Sequence, residues 1–229
     1  MPTDSIRSII PDPVFRAISK HLVKAGHVAE EGFESVEEDE DSITGDFLRA
    51  IRKAWSKDEI VDRTKWRWRI TTRKFRGRGE LATEHFIGAD GILQIELAAP
   101  DGNTKRKGLL FQAKKEWRYR DHRLLDQVRL MEDTAPGGSA VFDYSAEAYR
   151  GYTPETILTG SGRPVDSDPK RLGEFLAEDF LGCRVGTSDV WYDWERKGLT
   201  LELPLGIRLT PKFIAAIQVV GTTAFVSDA

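Results

Sequence analysis

The sequence predicts an α/β fold, a central mixed β-sheet flanked by helices. Three observations predict it. Helical apolar periodicity dominates the first sixty residues, strand-like segments separated by turn residues follow, and a further helix stands before another strand. Helices and strands in that order each have one apolar face to bury, and a sheet covered by helices buries them all.

Taken in order, Pro11 and Pro13 precede Val14, Phe15, Ile18, Leu22 and Val23, which recur at helical spacing and predict a helix ending near Ala25–Gly26. The second helix is expected from about Glu37 to Lys57, with Ile43, Phe47, Leu48, Ile51 and Trp55 as its stripe. Gly45 inside it suggests a close neighbour. Trp66 to Phe75 reads as a strand whose tryptophans pack inward and whose arginines meet solvent, and Gly77 and Gly79 open a loop. A second strand is expected from about Phe86 to Ala98. The turn chemistry of Pro100-Asp101-Gly102-Asn103 then leads to a third strand, Gly108 to Lys115. A helix from about Asp121 to Asp133 carries Leu124, Leu125, Val128 and Met131 on its inner face, and Ser139 to Tyr144 is a strand. Beyond Tyr149 the pattern weakens: a polar loop at 160–169, a helix at Arg171–Leu181, and strands at Val190–Trp194 and Leu199–Leu209.

The chain has 229 residues, 40% of them hydrophobic, enough for one sizeable core. A single elaborated domain is expected, with a core at about 37–144 and a C-terminal extension at 145–229 of unassigned role. No apolar run reaches membrane-spanning length, and Met1 to Ile10 lacks a signal-peptide pattern, so a cytoplasmic protein is expected. Cys183, the single cysteine, has no second sulfur to pair with and reads as a core residue. The four histidines make no metal-spaced pair, and Ser42 and Ser161 have no base near them in motif terms.

Net charge is −3, but the charge is segregated. Glu30 to Asp41 holds eight acids and no base, whereas Lys65 to Arg78 holds seven bases and no acid. A second basic stretch runs from Lys105 to Arg123 and includes Lys114 and Lys115. A polyanion responds to local charge more than to the total, so Arg73, Lys74, Arg76, Arg78 and Lys115 are candidate phosphate contacts.

The chemistry concentrates in Gly88-Ala89-Asp90-Gly91 and Phe111-Gln112-Ala113-Lys114-Lys115. Side chains alternate along a strand, so Gln112 and Lys114 share a face. A hairpin between the strands brings Asp90 beside them, converging a carboxylate, an amide and an ammonium at one sheet edge. Glu40 lies at the centre of the Ile43–Phe47–Ile51 stripe, where a carboxylate needs a partner. Glu37 lies one turn earlier, and Asp41 points sideways, as a cap or at a rim. Gln127, between Leu124 and Val128, is either a satisfied core amide or a site residue.

Acidic helix, Gly-Ala-Asp at a strand, then apolar-Gln-x-Lys closing the next strand: this pattern resembles the PD-(D/E)XK nucleases. It is most similar to Mrr-like restriction enzymes, in which glutamine replaces the third acid, and Glu40-Asp41-Ser42-Ile43-Thr44 resembles a helix opening common among them. The resemblance covers roughly Glu37 to Tyr144. It implies a restriction endonuclease-like core with a C-terminal elaboration, Mg²⁺ or Mn²⁺ as cofactor, and double-stranded DNA as partner. Asp90, Gln112, the Ala113 carbonyl and Glu40 would hold the ion or its water, and Lys114 would orient the attacking water. Asp90, Gln112, Lys114 and Glu40 would together form the catalytic set. Restriction or anti-phage defence is implied by family habit, and a homo-oligomer or partner subunit remains open. Two departures stand out: Gln112 is neutral, and alanine stands where proline would precede Asp90. A nucleic-acid-binding module without catalysis, or an interaction subunit with an acidic docking run, are the other readings.

Overall fold

The structure is a computed structural model that describes residues 5–75, 83–162, 169–201 and 208–223. It is α/β: a seven-stranded mixed sheet with helices on both faces, plus a small two-stranded ribbon, β7 (Tyr192–Asp193) with β8 (Gly198–Leu199). The strands of the large sheet are β1 (Glu59–Val61), β2 (Thr64–Lys74), β3 (Gly91–Ala98), β4 (Thr104–Lys115), β5 (Ser139–Tyr144), β6 (Tyr149–Tyr152) and β9 (Phe213–Thr223). Their order is β1-β2-β9-β3-β4-β5-β6. β3 and β4 form the expected antiparallel hairpin, with Gly91 opposite Phe111 and Ala98 opposite Thr104. β5 runs parallel to β4.

One face of the sheet is covered by α1 (Ile6–Ile9), α2 (Asp12–Glu31), α3 (Glu40–Ile51) and the later helical segment, α7 (Leu172–Glu174) running into a π-helical turn, Phe175–Phe180. The core there joins Ile18, Leu22, Phe47 and Ile51 to Trp66, Trp68, Phe111 and Phe142, with the Phe111 and Phe142 rings stacked at 4.6 Å. Each such apolar side chain, fully buried, contributes about 1.5–3 kcal/mol. The other face is covered by α4 (Thr83–Ile87), α5 (His122–Thr134), α6 (Pro154–Thr159) and the β7–β8 ribbon, over Ile92, Leu110, Val141 and Ile214.

Several elements depart from expectation for identifiable reasons. α2 continues past Gly26 to Glu31, because that glycine is a contact and not a stop: a Cβ on Gly26 would stand 3.1 Å from the Cα of Gly173. Gly45, by contrast, has open space around its Cβ position. α3 starts at Glu40, where the Asp39 carboxylate accepts from Ser42 N at 2.7 Å as the N-cap, and it stops at Ile51. The residues beyond leave the helix to lie along β2, with Lys53 bridged to Ile70 and Ser56 N donating to the Trp68 carbonyl. Trp55 is therefore exposed and not part of the helical stripe. The expected strand start at Phe86 is the short helix α4, and β3 begins only at Gly91. Gly88 has φ +72°, and a Cβ there would collide with the Gln127 carbonyl oxygen, so only glycine lets the chain turn this tightly against α5. Of the strands expected at Val190–Trp194 and Leu199–Leu209, the short ribbon β7–β8 forms, and residues 202–207 lie outside the described residues.

No element is expected beyond Leu209, yet β9 forms there. It lies in the middle of the sheet, antiparallel to β2 along its whole length and parallel to β3. Phe213 to Val219 is almost wholly buried and nearly all apolar, as a strand covered on both faces must be. The C-terminal stretch is thus no appendage to a core ending at 144, since it supplies the strand beside Asp90.

Candidate active site

Asp90 stands at the entrance to β3, fixed by backbone bonds on both sides. Its N–H donates to the Phe111 carbonyl at 2.9 Å, and its carbonyl accepts from Phe213 N at 3.2 Å. The Gly88 turn aims the side chain across to β4. There Oδ2 accepts from the Gln112 carboxamide Nε2 at 2.5 Å and from the Ala113 backbone N–H at 2.9 Å. Gln112 is buried, at 2% exposure, on the face of β4 shared with Lys114. The Lys114 ammonium meets the Asp121 carboxylate at 3.1 Å, and the other oxygen of Asp121 caps α5 through Leu124 N. Lys114 is thereby held over the same sheet edge by a helix terminus.

Glu40, in the first turn of α3, reaches the end of β4, where its Oε1 accepts from Lys115 N at 3.2 Å. The Lys115 ammonium donates to the Glu37 carbonyl, tying the start of α3 to β4. Lys115, a candidate phosphate contact, thus serves to position Glu40. Asp41 pairs with Lys212, just before β9. Lys74 approaches the Asp41 carbonyl at 3.4 Å, and the Arg73 guanidinium lies 5.0 Å from the Trp194 ring centroid. Arg76 and Arg78 lie outside the described residues.

Electrostatics bind these groups into one site. Burial pushes the Asp90 carboxyl up to about 7, against the pull of the Ala113 N–H; the charges of Glu84 and Glu40 push the same way, and Lys212 opposes them. The Glu40 carboxyl is likewise raised, first by burial, with Lys114 and the Lys115 N–H as the opposing influences. Both carboxyls are raised by burial, and the charge of Glu40 adds to the rise at Asp90.

Glu84 and Lys212 are site residues that sequence reasoning missed. Glu84 on α4 accepts from Gln127 Nε2 at 2.8 Å and from Arg123 at 2.5 Å. Gln127 therefore holds a site carboxylate in place, while its own Oε1 is buried without a partner. Neither Glu84 nor Lys212 belongs to a motif; each arrives through tertiary packing. Glu84 does stand six residues before Asp90, within one short helix and turn.

Among the described residues, no three His, Cys, Asp or Glu side chains converge to hold a metal. A metal here would need the mixed set of the Asp90 carboxylate, the Gln112 amide oxygen and the Ala113 carbonyl. Gln112 tests that set. Its Nε2 sits 2.5 Å from Asp90 Oδ2 and 3.3 Å from the Ala113 carbonyl oxygen, while its Oε1 is buried and unpartnered. A half-turn of the nearly isosteric carboxamide brings Oε1 to the position of Nε2. Three oxygens then converge, an arrangement that a hard cation would stabilise when Asp90 is ionised. The donor set fits Mg²⁺ or Mn²⁺, ions that retain several waters.

Comparison with protein-family models, with curated proteins and with solved structures finds no match to this chain.

Proposed function

We propose that this protein is a metal-dependent nuclease of the PD-(D/E)XK type, with a restriction endonuclease-like core, that hydrolyses phosphodiester bonds in double-stranded DNA. The convergence of Asp90, Gln112 and the Ala113 carbonyl across the β3–β4 hairpin, with Lys114 and Glu40 at its rim, carries the reading. Mg²⁺ or Mn²⁺ bound there would supply Lewis-acid polarisation of the phosphate and a more nucleophilic water. Asp90, Gln112 and the Ala113 carbonyl would hold the ion. Lys114, anchored by Asp121, donates hydrogen bonds to the non-bridging oxygens as negative charge develops on them. Glu40, whose carboxyl burial raises above its ordinary value, is the group at the rim that would accept the proton of the attacking water. Arg73 and Lys74 meet flanking phosphates.

The test is incubation of the purified protein with plasmid DNA, with and without Mg²⁺, beside Asp90→Ala and Lys114→Ala. Cleavage that requires Mg²⁺ and is abolished in both variants, with their thermal unfolding intact, is expected. Full activity of Asp90→Ala sinks the assignment. A wild type that binds DNA without cutting it points to the non-catalytic binding module, and Gln112, the neutral departure, is the residue that favours this second reading.

A further inference from the structure

Beside the hairpin site, on the same face of the sheet as Gln112, the outward surface of β2 forms a groove of about 700 Å³. Arg52, Lys53, Trp55, Arg69, Arg73 and Trp194 line it. Its chemistry is unusual for a solvated strand face. The Arg67 and Arg69 guanidinium groups both stack on the single Trp55 ring, at 4.6 and 4.5 Å from its centroid, and Arg73 stacks on Trp194. None of Arg52, Lys53, Arg67, Arg69 and Arg73 forms an ion pair with a carboxylate among the described residues. Arg69 instead donates to the neutral Gln218 amide at 2.5 Å, which in turn donates to Glu96 at 3.0 Å, fixing the guanidinium in position. Two like charges held over one ring without a counter-ion repel each other, and an anion seated between them relieves that repulsion.

We infer that this groove binds a single-stranded polynucleotide segment, its phosphates on the arginines and Lys53 and an unpaired base stacked on the exposed Trp55. A row of cations beside aromatic faces is the combination that single strands recognise, because every base has a π-face and every linkage a charge. Paired bases in a duplex offer no free face to an indole. The groove's position fits the candidate site. Arg73 pairs across the sheet with Ile214, which pairs with Ile92, two residues beyond Asp90. Two strand spacings, roughly 10 Å, separate the groove's end from the hairpin site. A strand leaving a duplex at the site would pass directly onto β2. The inference rests on the nuclease reading for its choice of polynucleotide as ligand, but it concerns binding and not cleavage.

The experiment is a fluorescence titration of Asp90→Asn protein with a labelled oligo-dT 20-mer in EDTA, where no cleavage occurs whichever reading holds. Intrinsic tryptophan emission is followed in parallel. Binding with quenching is expected, weakened about 10-fold or more by Trp55→Ala and largely retained by Trp55→Phe, since stacking is what the ring supplies. Lys53→Ala combined with Arg73→Ala should lower the slope of log Kobs against log salt by about 1.4, roughly 0.7 for each phosphate no longer neutralised. Should Trp55→Ala fail to fold, the Lys53/Arg73 pair carries the test alone. Unchanged affinity in the groove variants overturns the inference. So does a blunt duplex binding equally tightly with the same dependence on Trp55, or polyglutamate competing as well as oligo-dT. Plasmid cleavage by the wild type is scored separately. Groove binding without cleavage counts against the nuclease reading alone, and cleavage without groove binding counts against the groove alone.

Discussion

Asp90→Asn isolates the cost of the carboxylate at the centre of the site. Asparagine keeps one oxygen to accept from Gln112 and the Ala113 N–H and replaces the other with an uncharged NH₂ that cannot ionise. In the wild type the folded-state carboxyl titrates at about 7 against an ordinary 3.8, mainly because burial disfavours the anion. A pKa raised on folding means that its stability contribution is fully present below pH 3.8 and is lost as pH rises to about 7, with no further change above that. The interval spans about three pH units at 1.36 kcal/mol each, so ionising Asp90 costs the metal-free protein up to roughly 4 kcal/mol. Urea unfolding in EDTA should therefore find Asp90→Asn and wild type alike near pH 4. By pH 8 the variant should be more stable, by up to that amount. Adding Mg²⁺ at pH 8 should stabilise the wild type and leave the variant unmoved, because binding requires the ionised carboxylate. Parallel stability–pH curves for the two proteins would refute the reasoning, since they would mean Asp90 is solvated enough to ionise freely.

Gln112→Glu should retain cleavage at lower Mg²⁺ than the wild type, because it adds charge to an oxygen ligand, whereas Gln112→Leu should lose both metal binding and cleavage; a Mg²⁺ titration of activity compares all three. Gly88→Ala should cost more than about 2 kcal/mol in urea unfolding, since it combines a left-handed backbone with a Cβ driven into α5. Unaltered stability there would show that the Gly88 turn does not aim Asp90. Lys212→Met removes the cation that opposes the rise at Asp90, so the Asp90 titration, followed by carboxyl carbon NMR in EDTA, should move to higher pH.

What the sequence determined by itself was local. The Ile43–Phe47–Ile51 stripe specified a helix, and the alternation from Phe111 to Lys115 put Gln112 and Lys114 on one face, because both periodicities are read within a few residues. Gly-Ala-Asp and Gln-x-Lys mark the two sides of the hairpin, since a short turn leaves antiparallel strands little freedom but to pair. The central place of β9 was decided only by tertiary structure. Its residues from Phe213 to Val220 are apolar apart from Gln218, but nothing local states that a strand over a hundred residues away slots between β2 and β3. The same holds for Lys212 and Glu84, whose roles depend on which segments pack beside Asp90 and on how fully those segments exclude water. Trp55 illustrates the limit most directly: its helical spacing with Ile51 and Ile43 fits a core stripe, yet pairing of residues 53–56 with the edge of β2 was worth more than another helical turn. Backbone hydrogen bonds on an open sheet edge have to be satisfied somewhere, and that demand is set by the fold and not by periodicity.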